Sequence, residues 1–214
     1  NIENAGDINT QYGSGIVALG GFEASETQTV SSYKRTEKSF RSTINGHIIN
    51  TGTIAVNSQD NQLAGDSIFL GGVDLNGNIE NHGTLTTSTT GIGINGGETM
   101  EEEVTWQETE TGSMSIHTGH WQSQASKLTG NVINTGNIVA GEDGVYIGDG
   151  AELHGNIINQ GSIQAGKKGI LLAGGYRDTG TFTYKDLWSP TGDWIGYEED
   201  RSQLEMTTRP SAFN

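Results

Sequence analysis

The sequence predicts an all-β chain: a right-handed parallel β-helix (solenoid) of about five rungs, with β-hairpin excursions from one corner. Three observations predict it. A repeat recurs five times, its apolar residues alternate with a period of two, and its corners are built from asparagine and glycine. No ten-residue window carries a helical stripe. Residues 1–214 read as a single β-helix domain with excursions at 22–43, 98–127 and 176–214.

The clearest pair of repeats is Asn131–Gly155 (NVINTGNIVAGEDGVYIGDGAELHG) and its successor from Asn156 (NIINQGSIQAGKKGILLAGG), offset by 25 residues. Earlier copies begin at Asn1 (NIENAGDIN), His47 (HIINTGTIAV) and Asn78 (NIENHGTLTT). The shared pattern is N-I-x-N-x-G-x-I-x-A, then G-I-x-L-x-G-G, then L-x-G. Each copy predicts three short strands. In the last copy Ile157 marks the first, Ile163 and Ala165 the second, and Ile170 and Leu172 the third, all pointing inward. Between strands, N-x-G and G-x-x-G supply residues that tolerate corner conformations. Asn4, Asn50, Asn81, Asn134 and Asn159 share one repeat position. Stacked at a corner, their amides are expected to form a structural ladder of side-chain hydrogen bonds. Gly6, Gly52, Gly83, Gly136 and Gly161 follow two positions on.

The rungs are interrupted. Phe22–Thr43, Glu98–Lys127 and Tyr176–Asn214 all follow a Gly-Gly pair at the same repeat position, so they are expected to emerge at one corner of rungs one, three and five. A shorter insertion, Asn57–Leu63, leaves rung two at another corner. Insertions in solenoids collect on one face, often the working one. Twelve of the fifteen aromatic residues lie in the three long excursions, including all four tryptophans. Val104 and Trp106 alternate before a Thr-Gly turn and Met114 and Ile116 after it, while Phe182 and Tyr184 precede the turn sequence Ser189-Pro190-Thr191-Gly192. These patterns predict hairpins lying against one another beside the shaft. Lys34, Arg35, Lys38 and Arg41 in the first excursion are expected to pair with the acids of the second, Glu98, Glu101, Glu102, Glu103, Glu108 and Glu110.

Composition bounds the function. The net charge is −15, which repels phosphate backbones, so no nucleic-acid partner is expected. The absence of cysteine excludes a disulfide scaffold, a thiolate zinc site and a cysteine nucleophile. No apolar run approaches the roughly 18 residues of a transmembrane segment.

The candidate ligand or partner surface is Trp106, Trp121, Tyr184, Trp188, Trp194 and Tyr197, since flat rings stack on sugar faces; the alternative is a small second core under the hairpins. Glu101–Glu103 and Glu198, Glu199 and Asp200 are the acids available for a glycosidase-type carboxylate pair. His117 and His120 are spaced closely enough for a metal, but no accompanying ligand motif is present. Asp60, Asp66, Asp74, Asp143 and Asp149 near glycine corners raise calcium as a cofactor, without a calcium-binding nonapeptide or EF-hand loop. No catalytic residue, cofactor site or metal site is assigned.

The repeats N-I-I-N-x-G-x-I-x-A-G-x-x-G-I-x-L-x-G-G resemble those of bacterial β-helical surface proteins, and in particular the passenger domains of autotransporter (type V secreted) adhesins. The resemblance covers the five rungs and not the excursions. It implies an extracellular or bacterial cell-surface location. The expected function is a non-enzymatic structural and adhesive module for surface attachment, cell–cell contact or filament assembly. Its expected partners are other copies of itself, or host or cell-surface glycans or proteins. The alternative is a carbohydrate-active β-helix enzyme, a polysaccharide lyase or tailspike-like glycosidase. The regular strand faces carry Thr, Ala, Gln and Asn with few acids, which favours the adhesin.

Overall fold

A computed structural model describes residues 1–28, 33–57, 65–174, 179–199 and 212–213. Among them there is strand and turn but no helix, and so no helix long and apolar enough to cross a membrane. The first repeat comprises β1 (Ile2–Asn4), β2 (Asp7–Thr10) and β3 (Ile16–Leu19), then the hairpin β4 (Gly21–Gln28) and β5 (Tyr33–Phe40), then β6 (Ser42–Asn45). The second is β7 (Ile48–Asn50), β8 (Thr53–Val56), β9 (Ile68–Gly71) and β10 (Val73–Asn76). The third is β11 (Ile79–Asn81), β12 (Thr84–Thr87), the long hairpin β13 (Ile92–Thr109) and β14 (Gly112–Ala125), and β15 (Lys127–Thr129). The fourth, uninterrupted, is β16 (Val132–Asn134), β17 (Asn137–Ala140), β18 (Val145–Ile147) and β19 (Glu152–His154). The fifth is β20 (Ile157–Asn159), β21 (Ser162–Ala165), β22 (Ile170–Leu172), the hairpin β23 (Thr179–Trp188) and β24 (Trp194–Glu199), and β25 (Ala212–Phe213).

Equivalent strands of successive repeats pair in parallel. One sheet runs β1-β7-β11-β16-β20, a second β2-β8-β12-β17-β21, and a third β6-β10-β15-β19-β25. The remaining face, β3-β9-β13-β18-β22, continues into the excursions. The result is a solenoid-like stack. The register follows the repeat: Ile48 lies between Ile2 and Ile79, and Val132 lies between Ile79 and Ile157.

Each repeat therefore has four strands and not three. The short L-x-G tail is itself a strand, which aligns Ile44, Leu75, Leu128 and Leu153 along the core. This also corrects the excursion boundaries. Ser42 and Thr43 belong to β6, Lys127 belongs to β15, and Ala212–Phe213 return from the last excursion to pair with β19. One hairpin strand begins inside the stack: β13 leaves its parallel neighbours after Asn95 and runs on without a break to Thr109.

The core is the inward face of this stack. Ile48, Ile54, Leu70, Leu75, Ile79, Leu85, Ile138 and Ile147 are all fully buried. Each contributes about 1.5–3 kcal/mol of apolar burial, a scale that suits a chain adding small amounts per rung. In the last repeat the expected inward residues are less covered. Ile157, Ile163 and Ala165 are half-buried, and Ile170 and Leu172 are exposed, although their register partners Val145 and Ile147 are buried. They occupy inward positions, and among the described residues no further strand pairs beyond β20, β21 and β22 in their sheets.

Two columns of glycine allow the repeats to sit this close. A Cβ on Gly52, Gly83, Gly136 or Gly161 would lie about 2 Å from the carbonyl oxygen of the preceding glycine in the column. Gly77, Gly130 and Gly155 form the same arrangement at the next corner. Beside the first column the asparagines stack. Asn4 Nδ2 donates to Asn50 Oδ1 (2.8 Å), Asn50 to Asn81 (2.8 Å), Asn81 to Asn134 (2.7 Å) and Asn134 to Asn159 (2.7 Å).

One buried corner carries a charge penalty. Asp66 accepts a hydrogen bond from Thr90 N, and burial raises its carboxyl pKa to about 6, an effect only partly offset by Thr90 and Thr89. A folded pKa above the unfolded value of 3.8 means that this group favours folding below pH 4 and loses that contribution as pH rises through 6. Asp66→Asn should therefore raise stability at pH 7 by about 1–3 kcal/mol, and the gain should shrink towards pH 4. Urea unfolding of both proteins across that range measures it.

Candidate binding face on the excursion sheet

Three excursions from three repeats merge into one antiparallel sheet, in the order β4-β5-β13-β14-β23-β24. Its register decides which side chains share a face, because neighbours in a strand point to opposite sides. Val104 lies opposite His117, and His117 opposite Tyr184; Trp106 lies opposite Ser115, and Ser115 opposite Asp186; Asp186 lies opposite Tyr197. One face therefore collects Trp106, Trp121, Tyr184, Trp188, Trp194 and Tyr197. The structure brings all six candidate residues together.

The same register separates other candidates. Met114 and Ile116 lie opposite Gln107 and Thr105 on the reverse face, so the two alternating apolar pairs of the long hairpin do not meet. His117 and His120 are three apart in a strand and point to opposite sides, so they do not converge on a metal. Glu102 is on the aromatic face, while Glu101 and Glu103 are on the other. In the register of β5 and β13, Lys38 lies opposite Glu101, Glu37 opposite Glu102 and Thr36 opposite Glu103. Arg41 forms a partly exposed ion pair with Asp74, an outward-facing residue of β10. Asp60 and Asp200 lie outside the described residues. Among those described, no three histidine or acidic side chains converge on a common point.

The rings are seated by glycine. A Cβ on Gly119 would overlap the Phe182 ring, and one on Gly180 would overlap the Trp121 indole. These are cross-strand partners, so each ring lies flat over a residue that has no side chain. Trp106 and Trp188 stack at 5.7 Å with 29° between planes, and His117 stacks on Tyr184 at 4.3 Å and 10°. Trp194 and Tyr197, on the outermost strand, are the most open rings of the face, at 54% and 61% exposure.

A polar network underlies the rings. His117 Nδ1 lies 2.8 Å from Glu102 Oε1, which also accepts from Tyr184 OH at 3.3 Å. His117 Nε2 lies 3.2 Å from Ser115 Oγ and 3.4 Å from Asp186 Oδ2. Trp188 Nε1 donates to Ser115 Oγ, and Trp194 Nε1 donates to Asp186 Oδ1 (3.1 Å). Burial, reinforced by the charge of Glu102, pushes the Tyr184 hydroxyl up to about 12, so it stays a neutral donor at physiological pH. Ser115, His117 and Glu102 have the atoms of a nucleophilic relay. Yet Ser115 is 2% exposed and its oxygen already accepts from Trp188, so it has no path to a substrate. The network orients rings. Sequence reading missed Asp186, Ser115, Gly119 and Gly180, because only the strand register shows what they touch.

Compared with protein-family models, curated proteins and solved structures, the chain gives no match.

Proposed function

We propose that this chain is an extracellular structural and adhesive module from a bacterial surface protein of the autotransporter-passenger kind. In this reading the four stacked parallel sheets are the faces of a right-handed parallel β-helix, a stiff shaft that presents the excursion sheet. One observation carries it: three insertions from separate repeats build a single sheet, and that sheet gathers the tryptophans on one face. Insertions with no shared task have no reason to pair so extensively. Rings held in fixed orientations, with carboxylates between them, suit the apolar faces and hydroxyl groups of a glycan.

The test is a glycan array read for both binding and cleavage. Trp194→Ala, and separately Trp106→Ala with Trp188→Ala, should weaken binding about ten- to hundred-fold, or about 1.5–3 kcal/mol, with the melting temperature of the coil retained. Release of reducing ends would support the rival reading, a carbohydrate-active enzyme. The presence of Glu102 and Asp186 on the aromatic face favours that rival; their joint engagement with His117 opposes it. An array with neither binding nor cleavage would remove the glycan reading.

A further inference from the structure

The aromatic face carries one sign of charge. Among the strands that hold its rings, β13, β14, β23 and β24, the one lysine or arginine is Lys185. Lys185 lies opposite Ile116 on the reverse face, with its ammonium 3.8 Å from Glu198. The imidazole of His117 is enclosed between Glu102 and Asp186. The acids are placed differently. Glu102 and Asp186 lie among the rings. Glu108 extends the same face towards the hairpin turns, since it lies opposite Ser113, and Ser113 opposite Trp188.

The face ends in a cleft. The turn between β13 and β14 and the turn between β23 and β24 stand side by side and enclose about 290 Å³, with Glu108, Glu110, Ser113 and Pro190 in the lining. Gly112 lets the two turns approach, because a Cβ there would strike Trp188 O. The Pro190 wall is braced internally: Ser189 Oγ accepts from Thr191 N (3.3 Å) and from Asp193 N (3.1 Å). A space at the small end of ligand sites takes one sugar unit. Ser113 lies in the cleft lining and faces Trp188, which stacks on Trp106, so a chain crossing the rings can end in the cleft. The carboxylates of Glu108 and Glu110 are exposed there.

We infer that the ligand of this face is a glycan bearing free amines, a hexosamine polymer, and not an acidic one. The inference rests on the glycan reading above and names its substrate class. A protonated amine in the cleft meets the carboxylates of Glu108 and Glu110, with the electron-rich indole of Trp188 one strand away. An N-acetyl group in the same place is neutral and gains neither attraction. A uronate brings a further carboxylate to an acidic cleft on a chain of net charge −15, and is repelled. A lysine-rich peptide offers the right charge but no flat ring faces to cover Trp106, Trp194 and Tyr197.

The experiment titrates the 214-residue chain by calorimetry with short oligomers of glucosamine, N-acetylglucosamine and galacturonate, and with oligolysine. A slightly acidic buffer keeps the sugar amines protonated. The glucosamine oligomer should bind about tenfold more tightly than its N-acetylated form, and the galacturonate oligomer should not bind. Added salt should remove most of that ratio, because it screens the charges and leaves the ring contacts. Glu108→Gln with Glu110→Gln should bring the two oligomers to equal affinity. Both side chains are exposed, so the melting temperature should hold. Glu3→Gln with Asp7→Asn removes the same charge from the exposed shaft and should leave the ratio in place. The inference alone is overturned if the N-acetylated oligomer binds as tightly as the amine form, if the galacturonate oligomer binds tightest, or if the shaft pair lowers the ratio as much as the cleft pair. Oligolysine binding more tightly than the glucosamine oligomer also overturns it, in favour of a basic peptide. Binding of none of the four overturns it together with the glycan reading.

Discussion

Gly83→Ala should destabilise the protein by about 3–5 kcal/mol, enough to prevent folding of a domain of ordinary stability. The added methyl group would sit 1.9 Å from Gly52 O and 2.8 Å from Thr51 C, both backbone atoms of the adjacent repeat. Gly52 O already accepts from Thr84 N at 2.9 Å. Relief requires the repeats to part, which breaks ladder bonds on both sides and opens gaps beside Leu85 and Ile54. Gly6 occupies the same position in the first repeat and has no atom within 4 Å of such a methyl group. Gly6→Ala should therefore cost less than about 1 kcal/mol, as for an ordinary surface change. The contrast is measured by chemical denaturation of the two variants in parallel. Equal effects would show that the column is not packed as described.

Asn81→Leu should be the next most damaging change, at about 2–5 kcal/mol. Asn81 is fully buried, takes a hydrogen bond from Asn50 and gives one to Asn134. Leucine is of similar size, so the loss is one of polarity. It strands the Asn50 donor and the Asn134 acceptor, which have no water to turn to. Asn159→Leu, at the open end of the ladder, orphans one partner instead of two and should cost clearly less. Equal losses at both positions would mean that the amides act singly and not as a chain.

The repeating part of this fold was legible because every copy meets the same surroundings. N-I-x-N must place an isoleucine inward and an asparagine at the corner in each copy, so the pattern survives in sequence. The fourth strand escaped because it offers two inward side chains, as in Val73 and Leu75, between spacers of different length. Ile170 and Leu172 show the limit of the repeat argument: position in the pattern sets the direction of a side chain, but a neighbour must supply the burial. The excursions were legible as hairpins and as the aromatic part of the chain. Their face was not, because it depends on partners far apart, as with Tyr184 and Glu102, separated by 82 residues, or Trp188 and Ser115, separated by 73. Asp186 between His117 and Trp194, and glycines beneath Phe182 and Trp121, follow from that register alone.

The stacking of the repeats can be measured directly, since the chain has no cysteine to interfere with labelling. Spin labels at Glu3, Ile49, Glu80, Ile133 and Ile158 occupy one outward column along the first sheet. In doubly labelled proteins, diluted with unlabelled chain, the Glu3 and Ile158 backbones should lie four strand spacings apart, about 19 Å. Intermediate pairs should fall on the same line, at about 4.8 Å for each repeat crossed, whatever the length of the intervening excursion. Distances that instead grow with the number of intervening residues, or a Glu3–Ile158 separation well beyond 30 Å, would contradict the stacked fold on which the account rests.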